Sequence, residues 1–436
     1  MSALFRLKII CAVGVLAAVP LKAQSFKLQA VPADLARWIY PFNASPASRP
    51  TASAFAAFGS APDFDTRDGQ YLLGWNTSNS ITSGLGARNY LLRRVRVTLT
   101  ISRDMAYAYS GTLRDFRTYF PTNDPRYIAP TSSNSPVELF GAGFRGGYTA
   151  MTFQQDSPFF ADPSAGDYTN RTAYAACFDT NGVLVDVSNN VGDDGTNEIA
   201  GPFEVAPFAV GQAINVTPGQ LMPEGSQLTF DVNLDDPLIY GYFQQALNGG
   251  AIRLVASSLV NANFFSGSPN YPDFYTIFSP LADPDQFPLL DLEGSVVRTN
   301  LDADSDGLPD DWEQFYFSAL GAGATEDSDG DGESNLAEYQ TGTSPTSATN
   351  VLRVLALRRG SGADELEFSF APSRRYQLQW SDDLQHWQTE SNPVISYVSA
   401  WLLKTGASPI YPSPVFARWR DTNGACVQRF YRVTTQ

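Results

Sequence analysis

The chain has 436 residues, of which 13% are aromatic and 17% are charged, and its formal net charge is −16. These values are typical of a β-rich globular chain of two or three domains, and they argue against intrinsic disorder, which requires low hydrophobicity and high charge. Nucleic-acid binding is also disfavoured, because the sequence contains no basic stripe that would neutralise phosphates.

The N-terminus predicts a secretory signal peptide. Arg6 and Lys8 precede an apolar run over residues 9–20, and a small residue, Ala23, follows shortly after the run. We expect cleavage after Ala23 and export to the periplasm, the cell surface or the extracellular medium. The run is about a dozen residues long, whereas a bilayer span needs roughly 20, so no membrane insertion is expected after cleavage.

Residues 24–298 predict one β-rich domain. Apolar and polar side chains alternate over 95–101 and again over 228–234, which is the period of half-buried strands. Loops rich in Gly, Pro, Asn and Asp separate such strands, for example at 121–137 and 189–202.

One helix interrupts these strands. Asp235 or Asp236 can cap its N-terminus, Pro237 suits its first turn, and the Asn-Gly-Gly sequence at 248–250 ends it. A strand over 251–257 follows directly. By contrast, the G-x-G-x-x-G letters at 141–146 open no helix and are interpreted as a loop.

The strand–helix–strand order resembles the DNRLRE-type β-sandwich modules of bacterial wall- and polysaccharide-associated proteins. Residues 71–76, Tyr-Leu-Leu-Gly-Trp-Asn, are similar to the early strand of that family. Residues 230–233, Phe-Asp-Val-Asn, are similar to its late strand. A long insertion around 103–220 departs from the family pattern. The resemblance implies a jelly-roll-like sandwich with a binding role, with glycans among the ligands.

Residues 346–436 predict a second β-domain, because alternation is regular over 366–370 and 376–380. The pattern Tyr-x-Leu-x-Trp-Ser-x-Asp-Leu-x-x-Trp over 376–387 and the closing Phe-Tyr-Arg-Val at 430–433 resemble a C-terminal module of exported bacterial proteins. Strands of this kind in about 90 residues predict a small fibronectin-III-like β-sandwich.

The segment 299–345 carries most of the negative charge. Residues 301–340 contain twelve carboxylates and no Lys or Arg, which supplies −12 of the net −16. Two stretches repeat here with a period of 25 residues: loop 1 (302–313) and loop 2 (327–338). Both fit the pattern D-x-[DN]-x-[DN]-G-x5-E without a mismatch, so the sequence predicts two calcium sites.

The spacing in this pattern suits calcium because the ion takes six to eight oxygen ligands at about 2.3–2.6 Å. Side chains at loop positions 1, 3, 5, 9 and 12 and the carbonyl at position 7 converge around a glycine turn at position 6. The predicted ligands of loop 1 are Asp302, Asp304, Asp306, Leu308, Asp310 and Glu313. Those of loop 2 are Asp327, Asp329, Asp331, Glu333, Asn335 and Glu338. Magnesium is disfavoured because it prefers tight octahedra with retained water.

The two loops depart from a regular EF-hand. Residues 292–301 predict strand and turn where an entering helix would lie, and Pro309 and Ser334 occupy position 8, which is usually aliphatic. The loops are therefore more similar to the loop–helix halves of dockerin modules and to thrombospondin type 3 calcium repeats. The dockerin resemblance implies a protein partner that binds through the calcium segment.

A helix is predicted to leave loop 1 and to end at Gly321. Its apolar stripe is formed by Trp312, Phe315, Tyr316, Ala319 and Leu320. Without metal the like charges of each loop repel one another, so we expect metal binding to be coupled to local folding. Even weak sites would be filled at extracellular calcium concentrations, which favours a constitutive stiffener.

Groups that could perform catalysis are few. His386 is the only histidine, so Ser-His-Asp and Cys-His systems and zinc sites of Cys/His type are not expected in the first domain. A glycosidase needs only two carboxylates, and loop-like candidates are Asp156, Asp179, Asp186 and Glu204. Turn and capping roles are the alternative for these four residues.

Aromatic residues raise a similar choice. Trp75, Tyr119, Phe120, Tyr271 and Tyr275 can form a platform for sugars or can pack in the core and anchor loops. The two cysteines that remain after cleavage, Cys177 and Cys426, can be bridged or can be buried thiols.

Three functional hypotheses follow. The first, favoured by the scarcity of catalytic groups, is a secreted calcium-binding, non-catalytic adhesion or glycan-binding protein whose partner is a polysaccharide or a cell-surface component. The second is a polysaccharide-active hydrolase or lyase with accessory modules. The third is a dockerin-like docking protein.

Overall fold

The computed structural model describes residues 24–40, 49–57, 65–130, 134–159, 171–179, 181–191, 203–262, 270–297, 302–359, 364–369, 376–389, 395–398, 416–421 and 429–435. The predicted signal peptide and Cys426 lie outside the described residues. The fold is mainly β, with several antiparallel sheets, which confirms the predicted class.

In chain order the strands are β1 (Gln24–Pro32), β2 (Leu35–Ile39), β3 (Thr51–Ser53), β4 (Gln70–Asn76), β5 (Tyr90–Thr100), β6 (Val137–Phe144), β7 (Ala173–Phe178), β8 (Leu184–Asp186), β9 (Ala209–Val210), β10 (Gln212–Ala213), β11 (Gln227–Asp231), β12 (Ala251–Ser258), β13 (Asp273–Tyr275), β14 (Leu289–Val296), β15 (Val354–Arg359), β16 (Asp364–Ser369), β17 (Tyr376–Ser381), β18 (Gln388–Thr389), β19 (Ile395–Val398), β20 (Phe416–Asp421) and β21 (Phe430–Thr435). The α-helices are α1 (Pro237–Gly249), α2 (Asp310–Phe317) and α3 (Asn335–Thr341). Short 3-10 helices cover Ala87–Asn89, Phe116–Tyr119 and Pro284–Gln286.

Two antiparallel sheets form the N-terminal part. Sheet A has the order β1-β14-β5-β11-β10, and sheet B has the order β2-β4-β12-β6-β7-β8, with β9 paired to β6. β5 and β12 are inner strands. Val97 of β5 lies opposite Leu290 of β14 and Phe230 of β11. A separate pair, β3 and β13, completes this part of the fold.

The two sheets enclose one hydrophobic core and therefore form a sandwich. Val97 and Leu99 of sheet A, Leu73 and Leu254 of sheet B, and Phe243 of α1 are buried together in it. Every second side chain of β5 points into this core, which explains the alternation of apolar and polar residues over 95–101.

The opposite face of sheet B is also buried. Leu72, Phe140 and Val255 pack there against Phe153 and Val187, which belong to the connecting segments. As a result, all eight residues of β12 are buried. Cys177 of β7 lies in this second cluster, and its burial raises the pKa of the thiol to about 12.

Helix α1 has the predicted bounds, and its cap is Asp236 rather than Asp235. The Asp236 carboxylate accepts hydrogen bonds from the backbone N–H of Leu238 at 2.8 Å and of Ile239 at 3.3 Å. The helix ends at Gly250, whose φ of 88° is left-handed and favours glycine.

The interpretation of 141–146 as a loop is wrong for its first four residues, because strand β6 extends to Phe144 and includes Gly141 and Gly143. A Cβ at either position would overlap a ring, that of Phe208 at 141 or of Tyr174 at 143. Glycine at these positions lets the rings of Phe208 and Tyr174 pack directly on the strand backbone. No local sequence pattern reveals this role, because both rings come from residues far along the chain.

The C-terminal part contains two further sheets, β15-β16-β20-β19 and β18-β17-β21. Leu366, Phe368, Leu378 and Trp419 form its core. Leu238 of α1 packs against this core and so joins the N-terminal sandwich to the C-terminal part.

Replacement of Gly294 by alanine is expected to destabilise the sandwich by about 1–3 kcal/mol, since overpacking in a filled site carries that cost. Gly294 lies at a register shift between β14 and β5, where a Cβ would overlap the Leu91 carbonyl oxygen and the Phe26 ring. Urea unfolding measures the effect. Gly249→Ala is the matched control because a Cβ there meets nothing within 4 Å. Equal midpoints for the two variants would contradict the packing argument.

Candidate metal centre

The two predicted loops bring their first three acidic side chains together. Oxygens of Asp302, Asp304 and Asp306 lie within 4.8 Å of one another, and those of Asp327, Asp329 and Asp331 do the same. Such triplets of carboxylates could hold a metal ion.

Each loop is bent by its own first aspartate. Asp302 accepts hydrogen bonds from the N–H groups of Asp306 at 3.0 Å and Gly307 at 2.8 Å. In loop 2, Asp327 likewise accepts from Gly332 at 2.9 Å. Gly307 and Gly332 have φ values of 101° and 100°, which explains why glycine stands at position 6.

A short helix follows each loop and carries the position-12 glutamate. Glu313 lies on α2 and Glu338 on α3, and both side chains are buried. The Ser334 hydroxyl caps α3 by accepting from the N–H of Ala337 at 3.3 Å. Charged side chains are rarely buried without a partner, so these two glutamates need an explanation.

Loop 2 contains a set of buried oxygens that no described residue satisfies by hydrogen bonding: Asp329 Oδ2, Asp331 Oδ2, Asn335 Oδ1, Glu338 Oε1 and Glu338 Oε2. Burial and the charges of Asp329 and Asp331 together raise the pKa of Glu338 to about 8, against a smaller opposing effect of the Thr343 hydroxyl. Glu338 therefore faces the acidic triplet. A divalent cation would satisfy these oxygens, so the residues present fit such an ion.

Loop 1 has the same layout with more protein contacts. Burial raises the pKa of Glu313, and the charges of Asp304 and Asp306 add to the shift, so this glutamate also faces its triplet. Leu308, whose carbonyl is a predicted ligand, has a fully buried side chain.

An aromatic cluster joins both loops to sheet A. Trp312 and Phe315 of α2 are buried beside Leu91 of β5, and Tyr339 of α3 packs against them. Arg93 of β5 lies over the Phe315 ring, 4.6 Å from its centroid, and donates a hydrogen bond to the Phe315 carbonyl.

The helix after loop 1 is shorter than predicted. It ends at Phe317, because Ser318 adopts a left-handed conformation with φ of 56°. Ala319 and Leu320, both predicted on the buried stripe, are exposed, Leu320 by 54%. Trp312, Phe315 and Tyr316 keep their predicted packing role.

Loop 2 also contacts the segment that leads into β15. Arg353 donates a hydrogen bond to the Asp331 carbonyl at 2.8 Å, and its guanidinium lies 3.9 Å from the Asp331 carboxylate. The acidic segment thus touches the N-terminal sandwich through α2 and the C-terminal part through Arg353.

Two of the four carboxylates considered for catalysis, Asp179 and Asp186, have other contacts. Asp179 accepts backbone hydrogen bonds from Asn181 and Val183, both at 2.8 Å. Asp186 pairs with Arg145 at 2.8 Å. The contacts of Asp179 are the turn role given as the alternative, whereas the ion pair of Asp186 was not predicted. His386 is exposed and its Nδ1 lies 2.6 Å from Asp383 Oδ2.

The aromatic candidates do not form one platform. Trp75, Phe120 and Tyr275 are buried. Tyr119, by contrast, lines a cavity of ≈ 580 Å³ whose other lining residues are Ala106, Tyr107, Ala108, Arg114, Asn134, Ser135, Leu221, Leu259, Val260, Asn261 and Asn270. Arg114 and the three asparagines were not predicted from the sequence, because they come from segments far apart in the chain.

Comparison of the chain with models of protein families, with curated proteins and with solved structures finds no significant match. Within the described residues, no helix is both long and apolar enough to cross a membrane.

Proposed function

We propose that this protein is an exported, non-catalytic calcium-binding protein in which loops 1 and 2 hold two calcium ions. The observation that carries the proposal is the buried pair of Glu338 oxygens, which face Asp329 and Asp331 and accept no backbone hydrogen bond from the described residues. Oxygen ligands in this number and spacing suit calcium. The ligands are the twelve residues predicted from the two loop motifs.

The calcium segment acts as a stiff connector. It contacts sheet A through Trp312 and Phe315, and it contacts the start of β15 through Arg353. Neutralising the clustered carboxylates removes their mutual repulsion, so the bound ions hold these contacts in place.

Limited proteolysis tests the connector. In calcium, cleavage within 302–343 is expected to be slow, and excess EGTA is expected to accelerate it about tenfold or more, since folding of this segment is coupled to the ion. Cleavage within 90–100, at the centre of sheet A, is the internal control and should not change. A cleavage rate within 302–343 that is the same in both buffers would contradict the proposal.

Glycan binding is the molecular role we propose for the N-terminal sandwich. The supporting observation is the cavity beside Tyr119, which combines tyrosine rings with amide, hydroxyl and guanidinium groups. Rings stack on sugar faces, and the polar groups can bond sugar hydroxyls. Arg114, whose guanidinium lies 4.4 Å from the Tyr119 ring centroid, favours an acidic polysaccharide.

Binding of the purified protein to an array of polysaccharides and cell-wall preparations tests this role. We expect Tyr119→Ala and Arg114→Ala to weaken binding about tenfold or more, because each removes a central contact. Arg126→Ala is the matched control, since Arg126 also lies over a ring, that of Phe120, but does not line the cavity. Binding that both variants retain would contradict the assignment. Reducing-end release from a bound polymer would favour a polysaccharide hydrolase or lyase instead.

A further inference from the structure

The two loops have matching sequences, but they differ in how many of their ligand oxygens already accept protein hydrogen bonds. At position 5, Asp306 Oδ2 accepts a hydrogen bond from Ala324 N–H at 2.8 Å. Its counterpart in loop 2, Asp331 Oδ2, accepts no hydrogen bond from the described residues, and its nearest cation is the Arg353 guanidinium at 3.9 Å.

Position 9 shows the same difference. Asp310 Oδ1 accepts from the N–H of Ala303 at 2.7 Å, which closes loop 1 on itself. In loop 2 the amide nitrogen of Asn335 donates to the Gly323 carbonyl at 3.0 Å, which fixes the orientation of this amide. Asn335 Oδ1 is then buried with no hydrogen-bond donor among the described residues.

Position 12 shows the largest difference. Glu313 Oε1 accepts two backbone hydrogen bonds, from Gly321 at 2.6 Å and Ala322 at 2.9 Å. Because an oxygen of this kind has two lone pairs, Oε1 is saturated and Glu313 can offer a metal only Oε2. Glu338 can offer both of its oxygens, because neither accepts a backbone hydrogen bond from the described residues.

We infer that the two loops are inequivalent: loop 2 binds calcium first and tightly through a bidentate Glu338, and loop 1 binds it weakly through a monodentate Glu313. This inference rests on the proposed calcium function. Calcium favours the seven- or eight-oxygen shell that a bidentate glutamate completes, whereas six ligands also suit magnesium. Loop 1 is therefore the less selective site.

Charge alone predicts the opposite order, so the inference can be tested. Loop 1 has carboxylates at positions 1, 3, 5, 9 and 12, whereas loop 2 has the neutral Asn335 at position 9. If attraction between charges decided affinity, loop 1 would fill first. The availability of ligand oxygens predicts that loop 2 fills first. In loop 1 the ion must either do without the oxygens that accept from Gly321, Ala322 and Ala324 or break those hydrogen bonds, and both lower the affinity.

Calorimetric titration of the calcium-free full chain with CaCl2 distinguishes the two orders. We expect two steps at least about tenfold apart in Kd. Glu338→Gln should weaken the tight step about 100-fold, whereas Glu313→Gln should leave it within about threefold. Asp329→Asn and Asp304→Asn, both at position 3, form a second pair if a glutamate variant fails to fold. Excess MgCl2 should weaken the weak step more than the tight one.

Each outcome has a distinct meaning. Loss of the tight step in Glu313→Gln, or equal losses in the two glutamate variants, would overturn the inference but leave two calcium sites. A wild-type chain that takes up no calcium would contradict the proposed function itself.

Discussion

Removal of calcium is expected to lower the stability of the segment 302–343 by about 2.7 kcal/mol for each site whose Kd lies 100-fold below the calcium concentration. The cause is linkage, since the folded loops bind the ion and the unfolded segment does not. Thermal unfolding in 1 mM CaCl2 and in EGTA, followed by tryptophan fluorescence, measures this effect. Trp312 is buried in the aromatic cluster between the loops and therefore reports on the segment.

Magnesium and one variant serve as controls for the calcium effect. Restoring calcium should restore the higher midpoint, and magnesium at the same concentration should restore only part of it, since magnesium prefers octahedral sites with retained water. Glu338→Gln in calcium should unfold between the wild type in calcium and the wild type in EGTA, since loop 1 can still bind its ion. Identical transitions of the wild type in the two buffers would contradict the linkage.

Replacement of Arg171 by methionine is expected to destabilise the N-terminal sandwich by about 3–5 kcal/mol, because it leaves two buried carboxylates without their counter-ion. The Arg171 guanidinium lies 2.5 Å from Asp65 and 3.3 Å from Asp68, and all three side chains are buried. Urea unfolding at pH 8 measures the loss. Arg96→Met is the matched control, since Arg96 pairs with the exposed Asp231 and exposed pairs contribute about 0–1 kcal/mol.

The loss in Arg171→Met should depend on pH. Burial raises the pKa of Asp65 to about 6 and that of Asp68 to about 7, and the charge of Arg171 opposes both shifts. Without Arg171 both pKa values rise further, so at pH 5 the carboxyl groups are protonated and need no counter-ion. The variant should therefore approach the wild type at pH 5, and a loss that is the same at pH 5 and pH 8 would contradict this explanation.

Local patterns predicted the elements that local forces determine. The alternation over 95–101 indicated β5, and the Asp-Pro start with the Asn-Gly-Gly end indicated α1, because strand faces and helix caps depend on neighbouring residues. The acidic triplets were predictable for the same reason, since the loop motif places them within a few residues of one another.

Long-range contacts were not predictable in this way. Arg171 meets Asp65 across 106 residues of sequence, and no local pattern marks that pair. The backbone N–H groups that donate hydrogen bonds to Glu313 and Asp306 belong to residues 321–324, outside the loop motif. The sequence therefore indicated two calcium loops that fit one motif, whereas the different surroundings of their ligand oxygens follow only from the fold.

X-ray diffraction from crystals grown in CaCl2, at a wavelength where calcium scatters anomalously, locates bound calcium directly. We expect two anomalous peaks, one in each loop, with ligand oxygens at about 2.3–2.6 Å. In loop 2 both oxygens of Glu338 should contact the ion. A map with no peak beside Asp329 and Asp331 would contradict the proposal that these loops are calcium sites.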